Sequence, residues 1–101
     1  MAQAGTPVVR DGYLHLPNRR RLRLGSAAWF AWLQTASRFS YHAPDSSRLT
    51  VRKEQRRHGH YWYADLKHDG KLHNAYAGRS TALTPERLAV LAQQLQQKRR
   101  R

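Results

Sequence analysis

Alternation of apolar and polar residues runs through most of the chain and gives way twice to helical spacing. Residues 1–10 contain Gly5 and Pro7 and carry no period, so they predict a flexible leader. Tyr13-Leu14-His15-Leu16 and Arg21-Leu22-Arg23-Leu24 each alternate, and Pro17-Asn18 between them is a turn signal, predicting a small hairpin with its leucines turned inward. Ser26 is a good N-cap for a helix over 27–36, where Trp29, Trp32, Leu33 and Ala36 fall on one apolar stripe. Phe30 lies off that stripe, placed to wedge against a neighbour or to meet a partner.

From Arg38 onward the period is two. Phe39 and Tyr41, then Leu49 and Val51, alternate with polar residues across a turn at Pro44-Asp45-Ser46-Ser47. A turn at His58-Gly59 leads into Tyr61-Trp62-Tyr63-Ala64-Asp65-Leu66-Lys67, and Asp69-Gly70 is a strong hairpin signal before the returning strand 72–77. Gly78 stops the sheet. Thr84-Pro85-Glu86 then has the cap, first-turn proline and dipole-matched acid of a helix start, with Leu83 able to staple onto Leu88. Leu88, Leu91, Ala92 and Leu95 form the buried stripe of that helix, which fades into the basic tail 98–101. The expected fold is α+β: an antiparallel sheet of three to four strands packed against a C-terminal helix, with an N-terminal hairpin and a helix before the sheet. Residues 11–97 make one domain.

The register of the last hairpin decides which face does what. Trp62, Ala64 and Leu66 share one face of their strand; Tyr61, Tyr63, Asp65 and Lys67 share the other. A three-residue loop with Gly70 in the left-handed region would set Leu66 against Leu72 and Lys67 against Lys71, sending Leu72 and Tyr76 into the core with Trp62. A two-residue turn would set Leu66 against His73. The first keeps the apolar match and is preferred.

Charge changes the picture. The 101 residues include 19 Lys and Arg against 6 acids, a formal charge of +13, with the cations spread through the folded segment as well as the tail. Such an excess draws polyanions and resists self-association. There is no Cys, so disulfides and thiolate metal sites are excluded, and a reducing, cytoplasmic setting fits. No apolar run approaches a membrane span and no signal pattern opens the chain. His58-Gly59-His60 puts two imidazoles near a hairpin tip, yet without Cys and with few carboxylates nearby neither structural zinc nor another cofactor is expected. Phosphate loops, nucleophile elbows and paired carboxylates are missing, so an enzyme is not expected.

With the buried residues set aside, the solvent face collects Thr50, Arg52, Glu54 and Arg56 from one strand, Tyr61, Tyr63 and Lys67 from the next, and His73 from the third. Lys71 opposite Lys67, and Arg79 just past the sheet, complete the candidate nucleic-acid-binding set. Arg can hold phosphate or guanine bidentately, Lys neutralises phosphate, and Tyr donates to phosphate or stacks on an unpaired base. Duplex DNA is the leading ligand. RNA or single strands on the tyrosines, and a protein partner for Phe30 and Val90, are the alternatives.

The run Tyr61-Trp62-Tyr63, Gly70-Lys71-Leu72-His73, Tyr76-Ala77-Gly78-Arg79-Ser80 and Leu83-Thr84 to Leu88 resembles the three-strands-then-helix pattern of tyrosine-recombinase arm-site DNA-binding domains and AP2-type domains, over about residues 48–95. Ala28-Trp29-Phe30-Ala31-Trp32-Leu33, followed by Leu49-Thr50-Val51-Arg52-Lys53-Glu54 and the strand Tyr61-Trp62-Tyr63, is similar to an uncharacterised region of some bacterial LuxR-type regulators, over about 13–95. The arm-type likeness implies a sheet lying in the major groove, with Arg52, Glu54, Arg56, Tyr61, Tyr63 and Lys67 at the interface, serving transcription or a mobile element. It brings no catalysis, which in the recombinases belongs to a separate domain. Ala77 departs from the larger apolar residue expected before the glycine.

Overall fold

All the strands anticipated from the alternation form, but they join a single sheet. The computed structural model describes residues 6–44, 46–68 and 70–99. Within it lie β1 (Val8–Arg10), β2 (Tyr13–His15), β3 (Arg21–Arg23), α1 (Ala27–Thr35), β4 (Arg38–His42), β5 (Arg48–Arg56), β6 (Gly59–His68), β7 (Lys71–Gly78) and α2 (Pro85–Arg99). The seven strands run in the order β3-β2-β1-β4-β5-β6-β7, antiparallel except where β1 lies parallel to β4. The α+β class and the C-terminal helix stand; the expected three to four strands are corrected to seven.

The added strand is β1. The leader expected through Arg10 is corrected for its last residues, and residues 1–5 lie outside the described ones. Asp11 and Gly12 both take positive φ, 53° and 83°, the conformation a two-residue turn needs to return β1 onto β2. This turn carries β1 into the seam between the N-terminal hairpin and β4. Val9 is fully buried there, while Val8 and Arg10 face the other way.

One face of the sheet is covered by both helices. Trp29 of α1 meets Phe39 edge-on at 5.4 Å, Phe39 meets Trp62 at 5.6 Å, and all three are fully buried. Each indole N–H is satisfied, Trp29 donating to the Leu83 carbonyl and Trp62 to Ser80 Oγ, both at 2.8 Å. Leu88, Leu91, Ala92 and Leu95 bury the predicted stripe of α2. Its start is capped by Thr84 Oγ1, which accepts from the Arg87 amide at 3.1 Å, and Ser26 Oγ caps α1 from the Trp29 amide at 3.2 Å. Phe30 packs half-buried against the core, whereas Val90 is exposed.

The β6–β7 register is the two-residue alternative. His68 pairs with Lys71, Leu66 with His73, and Ala64 with Ala75. Gly70 has φ +76°, and Asp69 lies outside the described residues. The expected placement of Leu72 and Tyr76 in the core is therefore corrected: they are 62% and 51% exposed. The preferred register would have carried Asn74 into the core opposite Ala64. The observed one places small Ala75 and Ala77 under α2 and sends Asn74 outward beside Asp65. A one-residue slip turns every side chain of a strand over, so this single turn reassigns the whole of β7.

Candidate nucleic-acid interface

The uncovered face of the sheet is the candidate site, and the pairing defines it strand by strand. Arg52 lies opposite Arg38 and Tyr63, and Tyr63 opposite Tyr76, so β4 to β7 share this face. Through the pairs Val8 with Ser40 and Arg10 with Tyr13, it continues across β1 to β3.

Its β5–β7 half is aromatic. Tyr63 and Tyr76 meet edge-on at 5.5 Å, and Tyr61 lies 6.1 Å from Tyr76. Guanidinium groups close over these rings: Arg52 and Arg56 above Tyr63 at 5.5 and 5.3 Å, Arg79 above Tyr61 at 5.1 Å. Arg52 Nε donates to Asp65 Oδ2 at 2.6 Å, and both Arg52 and Arg56 form ion pairs with Glu54. Glu54 is thus an organiser of two arginines rather than a group that would meet phosphate. Held by two carboxylates and a ring, Arg52 is fixed in place with fewer N–H groups left to offer. Arg79 also donates to Tyr61 Oη at 3.0 Å.

Arg79 reaches this cluster through a β-bulge. Trp62 pairs with Gly78 but Tyr63 pairs with Tyr76, leaving Ala77 as the extra residue. Two successive residues, Ala77 and Gly78, are buried, and Arg79 returns to the face of Tyr61 instead of pointing under the helices. Ala77, the departure noted in the sequence, is the residue that the bulge tucks in.

Arg52, Glu54, Arg56, Tyr61, Tyr63, Lys67 and Arg79 are thereby brought to one face. Lys71 and His73 are not: the corrected register turns them to the opposite side, with Lys71 exposed and His73 half-buried. Tyr76, expected in the core, joins the cluster.

The β1–β4 half carries Arg10, Arg21, Arg23 and Arg38, with Arg48 of β5 continuing the row opposite His42. All five arginines are exposed and, among the described residues, none is in an ion pair. Arg21 lies over the Tyr13 ring at 4.6 Å. His42 has its pKa lowered by burial first, then by the charges of Arg48 and Arg10, a mark of the positive field here. The alternation in Arg21-Leu22-Arg23 and Arg38-Phe39-Ser40-Tyr41-His42 already assigned these side chains to one side. Only the joining of the sheet through β1 makes them part of the same surface.

No family model matches the chain, and neither a curated protein nor a solved structure matches it. Among the described residues no helix is long and apolar enough to cross a membrane.

Proposed function

We propose that the protein is a DNA-binding module that grips duplex DNA with the uncovered face of its sheet, β5–β7 at the bases and β1–β4 on the flanking backbone. The division of that face carries the reading. Its aromatic half is partly neutralised by Glu54 and Asp65 and held stiff, as suits contacts to base edges; its other half holds arginines without acid partners among the described residues, as suits phosphates. Phosphate contacts position a protein and base contacts specify, so one surface offers both kinds in separate places.

Size supports the same arrangement. At about 4.8 Å per strand spacing, β5–β7 measure about 10 Å between outer axes, comparable to a major groove about 12 Å wide. All seven strands span about 29 Å, too broad for the groove, so β1–β4 would extend over the adjoining backbone. The arm-type likeness implies this sheet-in-groove geometry, in transcription or a mobile element, and we extend it to the extra strands.

The test is fluorescence anisotropy with a mixed-sequence duplex, the matching single strand and an RNA of equal length, across a range of salt. Duplex binding should be tightest. Its salt slope should fall by about 0.9 log units for each phosphate-contacting arginine removed, as in Arg23→Ala and Arg38→Ala. Binding to none of the three, even at low salt, would sink the proposal. Preference for single strands, with a loss of about 1–3 kcal/mol for Tyr76→Ala, would instead assign the half-exposed Tyr76 as a stacking platform.

A further inference from the structure

Between β1, β2 and β4 the uncovered face is indented by a notch of about 230 Å³, lined by Thr6, Val8, Arg10, His15, Pro17 and His42 among others. Its arginine and two histidines come from three strands, brought together by the β1 seam and by no local sequence motif. His15 pairs with Val8 across β1–β2, and Val8 pairs with Ser40 of β4, two residues before His42. His15 Nε2 is buried and, among the described residues, has no hydrogen-bond partner. A buried polar atom left unmatched is an exception that calls for a reason.

We infer that this notch is a phosphate-binding site, in which Arg10 supplies a fixed charge and His15 and His42 supply imidazole N–H donors to one phosphodiester of a bound strand. The inference rests on the reading of this face as a nucleic-acid surface and gives that surface a defined phosphate position. The volume far exceeds the roughly 30 Å³ share of a liquid water molecule and admits a phosphate group. The chemistry of the lining selects an anion: Arg10 is exposed and free of ion pairs among the described residues, and Arg48 stands opposite His42 on β5. An Nε2–H on His15 would find in a phosphate oxygen the acceptor it lacks. Metal binding is disfavoured by the same guanidinium, and among the described residues no cluster of three metal-ligating side chains occurs.

An arriving phosphate also reverses the field at His42. Burial and the flanking Arg48 and Arg10 favour its neutral form in the free protein, and a phosphate favours the imidazolium, so binding takes up a proton. Linkage then requires tighter binding as pH falls, by up to about tenfold for each unit by which the ligand raises the imidazole pKa.

The notch can be tested apart from nucleic acid. Inorganic phosphate is titrated into the full chain at constant ionic strength while the imidazole nitrogen and proton signals of all six histidines are followed by NMR. The His15 and His42 signals should move saturably, and Arg10→Gln should abolish the movement with the fold intact by near-ultraviolet circular dichroism. Shifts no larger than those of the exposed His58 and His60, or shifts indifferent to Arg10→Gln, would overturn the site. In the duplex assay, Arg10→Gln should lower the salt slope by about 0.9, and His42→Asn should remove the gain in affinity between pH 7.5 and 5.5. Histidine shifts with phosphate but no nucleic-acid binding would keep the notch and discard the proposed function. Duplex binding with unmoved histidines would do the reverse.

Discussion

Gly78 shows how one residue can connect the core to the candidate interface. Its φ of +113° is a conformation that side chains resist, and an added Cβ would stand 3.0 Å from Cβ of Ala82. The bulge it completes places Trp62 beneath the sheet and Arg79 above it. Gly78→Ala should destabilise the fold by about 1 kcal/mol or more, since alanine is strained at positive φ, and should also disturb the Arg79–Tyr61 contact. Trp62→Ala should cost about 3–5 kcal/mol, the usual toll for a buried aromatic, whereas Arg79→Ala should leave stability nearly unchanged because its side chain is exposed. Urea denaturation of the three variants separates these outcomes; a destabilisation by Arg79→Ala equal to that of Gly78→Ala would mean the bulge depends on the arginine. The sequence already marked Trp62 as core, because alternation fixes a residue's side within its own strand. It could not mark Tyr76, whose side depends on a pairing with another strand.

The same dependence governs whole elements. Asp11-Gly12 and Asp69-Gly70 are the same dipeptide; the first is a two-residue turn, and the second falls between the paired residues His68 and Lys71. A longer second loop, which the Leu66–Leu72 match favours, would place Leu72 and Tyr76 inside and His73 outside. The cost of burying Asn74 opposite Ala64 was the signal against it. At the first, three residues are too few to display a period, so the sequence alone does not distinguish β1 from a leader. Helices are legible from the sequence because caps and stripe are local: Ser26, Thr84 and the leucines of α2 stand where their spacing puts them. The far end of α1 is held by something no local pattern reveals. Lys53 projects from the covered side of β5 and donates to the carbonyls of Leu33 at 2.7 Å and Gln34 at 3.2 Å, with Trp62 5.2 Å away. Burial lowers its pKa, but its charge is what the helix C-terminus favours. Lys53→Met keeps much of the stem and removes the donors, and should cost about 1.5–3 kcal/mol by the usual worth of hydrogen bonds to a charged group. Chemical denaturation checks this, and no loss would mean that water caps the carbonyls equally well.

For the molecule as a whole, the arrangement that matters is a sheet whose two halves meet at β1. The hairpin β2–β3 touches the rest of the sheet through that strand: β2 pairs with β1 and β3, and of these three N-terminal strands β1 is the one that pairs with β4. The charge excess implies a basic surface without locating it, and the alternation locates half of it. The other half, with its exposed arginines and the histidine notch, depends on three residues assigned to the leader. Two truncations therefore distinguish the expectations. Removing residues 1–10 should delete the seam, freeing Tyr13–Arg23 from the sheet and exposing the core side of β4, where Phe39 and Tyr41 are buried. The variant should lose stability well beyond the effect of a surface truncation, and hydrogen exchange should show β2 and β3 unprotected. Any duplex binding that survives should have a shallower salt slope, because Arg10 is gone and Arg21 and Arg23 are no longer held on the shared face. Removing 98–101 subtracts charge without touching a strand, so the fold should persist and affinity should fall only by the nonspecific contribution of the tail. If the first truncation instead unfolds and exchanges like the full chain, β1 is not the seam, and the surface divides at β4.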